Sequence, residues 1–133
     1  MSGAITAGTT VIAGTTVTAG TTSSDSIGNL RNVPPNSQTG AYVLALTDSG
    51  KYISITTGGV TVPPFATVAF AAGQTISIYN NSASSQTITQ GTGVVMTLAG
   101  TATTGNRTLA QYGLCTILCT ASNAFVITGA GVT

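Results

Sequence analysis

Apolar and polar residues alternate with a period of two along much of the chain. Ser54 separates Ile53 from Ile55, and Ser77 separates Ile76 from Ile78. Successive side chains of an extended strand point to opposite faces, so these stretches read as half-buried strands with one polar face. Residues 42–46 (Tyr-Val-Leu-Ala-Leu) and 114–118 (Leu-Cys-Thr-Ile-Leu) are apolar on both faces. Strands of that kind are expected to be central or covered by a second subunit. Clusters of Gly, Pro, Asn, Asp and Ser recur about every ten positions, the spacing of turns in a sandwich or barrel. Between them the pattern predicts strands over 42–46, 51–56, 60–62, 65–70, 75–79, 86–90, 94–98, 107–110, 114–120 and 124–128. No stretch shows helical periodicity over the roughly 11 residues needed to read one. The expected fold is all-β, a small antiparallel β-sandwich or barrel-like domain.

The first residues follow a different rule. Ile5-Thr6-Ala7-Gly8-Thr9-Thr10, Val11-Ile12-Ala13-Gly14-Thr15-Thr16 and Val17-Thr18-Ala19-Gly20-Thr21-Thr22 repeat one hexapeptide pattern. Six is even, so on an extended chain Ile5, Val11 and Val17 face the same way. Thr, Val and Ile favour an extended backbone, and the glycine of each repeat resists helix. Two readings stay open: a solvated low-complexity tail, and an extended arm that adds as a strand to another subunit. A junction follows, with Gly28 and Val33-Pro34-Pro35-Asn36, whose diproline stiffens the exit from the arm. The organisation read from the chain is therefore an arm over 1–24, a linker over 25–40 and a β-domain over 41–133. The candidate interface residues are Ile5, Val11 and Val17 on the arm, Arg31 in the linker, and Arg107. Arg107 follows Gly105-Asn106 and reads either as a solvated turn residue or as an anchor for carbonyls of a neighbour.

Charge changes the picture most. The 133-residue, 13.0 kDa chain is 4% charged, against about a quarter in an ordinary soluble domain. Asp25, Arg31, Asp48, Lys51 and Arg107 are the whole set, and there is no His or Glu. Either the surface is hydrated by Thr, Ser and Asn, or much of it is buried against copies of itself or partners. Three scattered cations cannot neutralise a run of phosphates, which argues against nucleic acid as a partner. Gly and Thr interrupt every apolar stretch, so no membrane-spanning helix is expected. No basic segment leads into a continuous apolar run, so no signal peptide is expected either.

Candidate chemistry is sparse. Without His, a Ser or Cys nucleophile lacks its usual activating base. Asp25 lies in the linker and Asp48 in a Thr-Asp-Ser-Gly turn, which does not suggest a carboxylate pair in one cleft. Cys115 and Cys119 are four apart on a strand, about 13 Å, too far for a disulfide. They read as small buried hydrophobes facing one way, and a zinc site is implausible without His. Gly91-Thr92-Gly93 reads as a hairpin turn rather than a phosphate loop. Asn80-Asn81-Ser82 and Asn106-Arg107-Thr108 match the glycosylation sequon but read as turn chemistry. The expectation is a non-enzymatic protein with no cofactor and no metal.

Residues 29–133 resemble a small β-domain that recurs at the C-terminal ends of bacteriophage tail fibre and other virion surface proteins. The likeness is carried by Asn32-Val33-Pro34-Pro35, Thr47-Asp48-Ser49-Gly50-Lys51 and Gly59-Val60-Thr61-Val62-Pro63. It continues in Gly73-Gln74-Thr75-Ile76-Ser77-Ile78-Tyr79-Asn80-Asn81, Gln86-Thr87-Ile88-Thr89-Gln90-Gly91 and Gly105-Asn106-Arg107-Thr108-Leu109-Ala110. The resemblance implies an all-β module that assembles as a homotrimer, without saying where on the virion it sits. A tail fibre carries a long shaft, whereas here only a short repeat arm precedes the β-domain. The expected function is that of a capsid cement (decoration) protein. Its trimers would clamp neighbouring capsomers of the major capsid protein on the outer capsid surface, after assembly in the host cytoplasm. The alternative is a receptor-binding module of a tail fibre or baseplate.

Overall fold

The computed structural model describes residues 32–133. Ile5, Val11, Val17 and Arg31, together with the arm, fall outside the described residues. The described chain forms nine strands: β1 (Pro35–Gln38), β2 (Tyr42–Val43), β3 (Tyr52–Ile55), β4 (Val60–Val62), β5 (Thr75–Asn80), β6 (Gln86–Gln90), β7 (Val95–Leu98), β8 (Arg107–Ala121) and β9 (Ala124–Val132). A single 3-10 turn, Leu46–Asp48, interrupts them, and there is no α-helix among the described residues.

The first six strands alternate between two walls. β1, β3 and β5 lie side by side in parallel on one wall. β2, β4 and β6 do the same on the other. Each odd strand and the even strand after it make one rung, and three rungs stack. The rungs turn at tight corners. Gly58 and Gly59, between β3 and β4, have φ of 85° and 71°. A Cβ on Gly58 would overlap the backbone of Ala41 in the rung on one side. A Cβ on Gly59 would lie 2.5 Å from the Thr87 carbonyl in the rung on the other. Only glycine satisfies both the backbone angle and the stacking.

β8 seals the stack. Its first residues pair antiparallel with β6, and its later ones pair antiparallel with β5, so this 15-residue strand spans both walls. Between the two registers it bends over residues 110–113. There the Asn80 side chain, fully buried, replaces the lost ladder bonds. Its Nδ2 donates to the carbonyls of Ser84 (2.8 Å), Leu109 (3.2 Å) and Ala110 (2.8 Å), and Ser82 Oγ donates to its Oδ1 (2.8 Å). β9 folds back antiparallel on β8, and β7 joins β9 in parallel. The sheet, in order β1-β3-β5-β8-β6-β4-β2, nearly closes on itself into a barrel-like fold.

The core lies between the walls. Ile53, Ile55, Ile78, Cys115, Ile117 and Ile127 face inward from one wall, and Val60, Val62, Ile88 and Leu109 from the other. Burying one such aliphatic side chain contributes about 1.5–3 kcal/mol relative to leaving it in water. Phe70 and Phe125 meet edge-to-face, with centroids 6.1 Å apart, and close one end.

The all-β, barrel-like expectation holds, but the strand directions are mixed rather than antiparallel. Among the first six, consecutive strands sit on opposite walls, so a strand meets not its successor but the strand after that, running the same way. Several elements also differ. Residues 35–38, read as linker, form β1. Residues 65–70 form a turn, because the Pro64 carbonyl accepts the amides of Thr67 (2.9 Å) and Val68 (3.0 Å). Residues 107–110 and 114–120 are one bent strand. Residues 114–118 are central as expected, but 42–46 are not. Only Tyr42–Val43 is strand, and it ends the sheet.

Candidate functional site

Three charged side chains fall within the described residues, and two of them hold their own chain together. Asp48 is 1% exposed at the end of the first rung. Its Oδ1 accepts from Asn36 Nδ2 (2.8 Å), and its Oδ2 accepts from Tyr42 Oη (2.8 Å) and the Ala45 amide (2.8 Å). Gln38 Nε2 donates to Asn36 Oδ1 (2.7 Å) and extends the network. Burial, and then the Asp48 carboxylate beside it, hold the Tyr42 hydroxyl above the ordinary tyrosine range. These contacts form a polar lid where the stacked isoleucines stop: Asn36 pairs with Ile53 and Gln38 with Ile55. A stack of rungs needs such a polar cap to end its core in water.

Arg107 sits at the start of β8, opposite Ile88. Its Nη2 donates to the Thr103 carbonyl (2.7 Å) and Nη1 to that of Asn106 (3.4 Å), both in the preceding loop of its own chain. Nε is buried with no partner. The side chain thus clamps its own loop. The cysteines are free and buried on one face of β8. Burial pushes the Cys115 thiol up to about 12 and also raises that of Cys119. A thiol held protonated is a poor nucleophile and a poor metal ligand. No cluster of three or more His, Cys, Asp or Glu that could hold a metal occurs among the described residues. No described helix is long and apolar enough to cross a membrane.

What remains is surface. On β8, Cys115, Ile117 and Cys119 point inward, so Leu114, Thr116 and Leu118 point out. Register places their neighbours: Tyr79, Leu114 and Ala130 in one row, Ser77, Thr116 and Thr128 in the next, then Thr75, Leu118 and Val126. Val95 on β7 pairs with Ala124 and extends the surface. Ser77 Oγ and Thr116 Oγ1 lie 3.2 Å apart across it. Leu114, Leu118 and Val95 are 52%, 38% and 49% exposed. These rows contain no charged residue. Beside them Tyr112 projects from the bend of β8 at φ 54°.

A second surface is the open end of the sheet. β1 pairs with β3 alone and β2 with β4 alone among the described residues. Val33 and Val43 are each 54% exposed there, and Leu46 is 47% exposed.

Of the residues expected at interfaces, only Arg107 lies within the described chain, and its described bonds are internal. Leu114, Leu118, Val95, Ser37 and Val43 were not singled out by sequence. The signal for the first two was present in the two-faced apolarity of 114–118. Val43 lies in 42–46, which carries the same two-faced apolarity; Ser37 had no signal, because an edge is a property of the assembled sheet. No protein-family model matches the chain, and no curated protein or solved structure is similar to it.

Proposed function

We propose that this protein is a bacteriophage virion structural protein. In this reading it is a capsid cement protein whose homotrimers clamp neighbouring capsomers of the major capsid protein on the outer surface of the shell. The observation that carries the proposal is the uncharged outer face of β5, β8, β9 and β7, with Leu114, Leu118 and Val95 exposed on it. A face without charge does not repel its own copy, and apolar side chains ringed by Thr and Ser suit a subunit contact. The resemblance of residues 29–133 to virion β-domains supplies the virion setting. Buried, protonated thiols fit assembly in a reducing cytoplasm. Small contacts repeated around a shell stabilise it by multivalency, so no single strong site is required.

The test is quantification of this protein against the major capsid protein in purified particles. Hundreds of copies per particle are expected. A few to a few dozen copies would place it in the tail and overturn the cement reading. That second reading, a tail fibre or baseplate receptor-binding module, is favoured by one feature. Tyr112 is 59% exposed in a left-handed backbone conformation, a strained placement that binding sites use.

A further inference from the structure

We infer that the open edge of β1 and β2 takes the hexapeptide segment, residues 5–22, of a second copy of this chain as an added strand. The inference builds on the reading of the protein as an assembly subunit, though it does not depend on where in the virion it sits.

The backbone of the edge shows which groups have no partner among the described residues. The Tyr52 amide donates to the Pro34 carbonyl (3.1 Å) and the Thr56 amide to that of Gln38 (3.1 Å). Residues 34, 36 and 38 therefore turn their backbone groups toward β3. By the alternation of a parallel ladder, Pro35 and Ser37 turn theirs outward. Pro35 has no N–H, so Ser37 presents the outward donor of β1. On β2, the amides of Tyr42 and Leu44 bond Gly59 (3.1 Å) and Thr61 (3.0 Å), which leaves the groups of Val43 facing out. No described strand lies on this side. Unpaired strand edges are templates for strand addition unless something blunts them. Here Pro35 blunts only the first position, and Val33, Val43 and Leu46 offer apolar side chains beside the row.

The occupant follows from the chain outside the described residues. Residues 5–22 contain no proline and no charge, and their β-branched residues recur at an even period. That composition suits strand addition, in which main-chain bonds give affinity and alternate side chains are read. One feature favours a neighbour over its own chain. Val33 and Pro34 each precede a proline, which biases both toward an extended backbone and away from a tight turn directly before β1.

The repeat gives such a strap an unusual tolerance. Sliding the strand by one hexapeptide presents the same side chains to the same positions, about 20 Å further along. Three repeats allow several equivalent registers, so copies held at somewhat different spacings could still be joined.

Cross-linking the full-length protein tests this. Ser37→Cys is made in one preparation carrying a size tag, and Thr15→Cys or Thr16→Cys in another. These substitutions are nearly isosteric, Ser37 is exposed, and the native thiols are buried. After mixing and oxidation, a mixed disulfide dimer is expected from one of the two adjacent arm positions at least fivefold more than from the other, because neighbours on a strand face opposite ways. The matching position in the repeats on either side, six residues away, should link comparably. Absence of mixed dimer overturns the inference. So does a link formed only within a single chain carrying both cysteines, which would mean the arm pairs with its own edge. A negative result alongside hundreds of copies per particle would remove the strap and leave the cement reading standing.

Discussion

The two candidate surfaces are built from different parts of the chain. On the outer face of β5, β8 and β9 the ladder is made on both sides of β8, so its backbone is spent and only side chains meet a partner. On the open end, β1 and β2 offer backbone groups to anything extended. What backs them differs too. Cys115, Ile117, Cys119 and Ile127, all at 2% exposure or less, lie directly behind the outer face. Behind the end rung stands a polar network around one carboxylate. A side-chain surface is sensitive to a single charge but tolerant of backbone detail. An edge is indifferent to side-chain identity and sensitive to loss of an amide. A short end rung on a polar lid also belongs to the low-stability end of a fold, where local opening is easiest.

The strongest way to break the comparison is from behind the outer face. Gly129 lies against β8 at φ 152°, and a Cβ there would overlap the Leu114 carbonyl and Cys115 Cα. Gly129→Ala is expected to cost about 3 kcal/mol or more, read as a fall in the denaturant midpoint. Gly93→Ala, at φ 78° with open space around it, should cost only about 1 kcal/mol from the backbone angle alone. Similar losses at both sites would show that the β8–β9 contact is not tight.

Opening the end rung should cost less. Asp48→Ala removes the acceptor of three hydrogen bonds and leaves the Tyr42 hydroxyl proton and the Ala45 amide without an acceptor, while Asn36 Nδ2 keeps its bond to Tyr42 Oη (3.0 Å). A loss of about 2 kcal/mol is expected. Amide exchange should accelerate in residues 35–48 while the β8–β9 hairpin stays protected. Uniform acceleration would mean that the two regions open as one unit.

Alkaline pH tests the backing of the outer face by another route. Cys115 titrates near 9.0 when unfolded and at about 12 in the native state. Its contribution to stability is therefore complete below pH 9 and falls as pH rises toward 12, since the unfolded chain gives up the proton first. The loss from this group should be about 1.4 kcal/mol for each pH unit in that window. Cys115→Ala should flatten that part of the profile, and an unchanged slope would assign it to other groups.

The smallest effect on stability belongs to Leu118→Asp. The side chain is exposed, so folding should change by within about 0.5 kcal/mol. If this face is the proposed subunit contact, sedimentation should nonetheless show loss of association, because an unpaired carboxylate would be buried at its centre. Unchanged association would exclude this face as the subunit interface.

Much of the strand content was legible because period-two alternation survives any tertiary arrangement. Residues 60–62 and 86–90 form strands over the expected spans. Residues 65–70 failed because β-propensity favours a strand where local bonds to Pro64, and from the Phe65 amide to Asn123 Oδ1 (2.6 Å), curl the chain instead. β1 was missed because Pro34-Pro35 reads as a linker, whereas Pro35 stands at the two places a sheet accepts proline, the first residue of a strand and an edge. Asp48 read as an exposed turn former, and nothing local announced that Tyr42 and Asn36 would close over it.

The amino-acid sequence by itself determined that this is an all-β chain, which residues turn inward, and how little ionisable chemistry it carries. Those follow from alternation and composition, which are properties of the chain alone. Only the tertiary structure decided that the odd and even strands among the first six run parallel on separate walls. It also decided that Leu114 and Leu118 stay exposed while Ile117 is buried, and that β1 and β2 have no outer neighbour among the described residues. Alternation is the same for parallel and antiparallel partners, and exposure depends on which segment closes over a strand. The hydrophobic pattern therefore says that a residue has a face, and only the closed sheet says what that face meets.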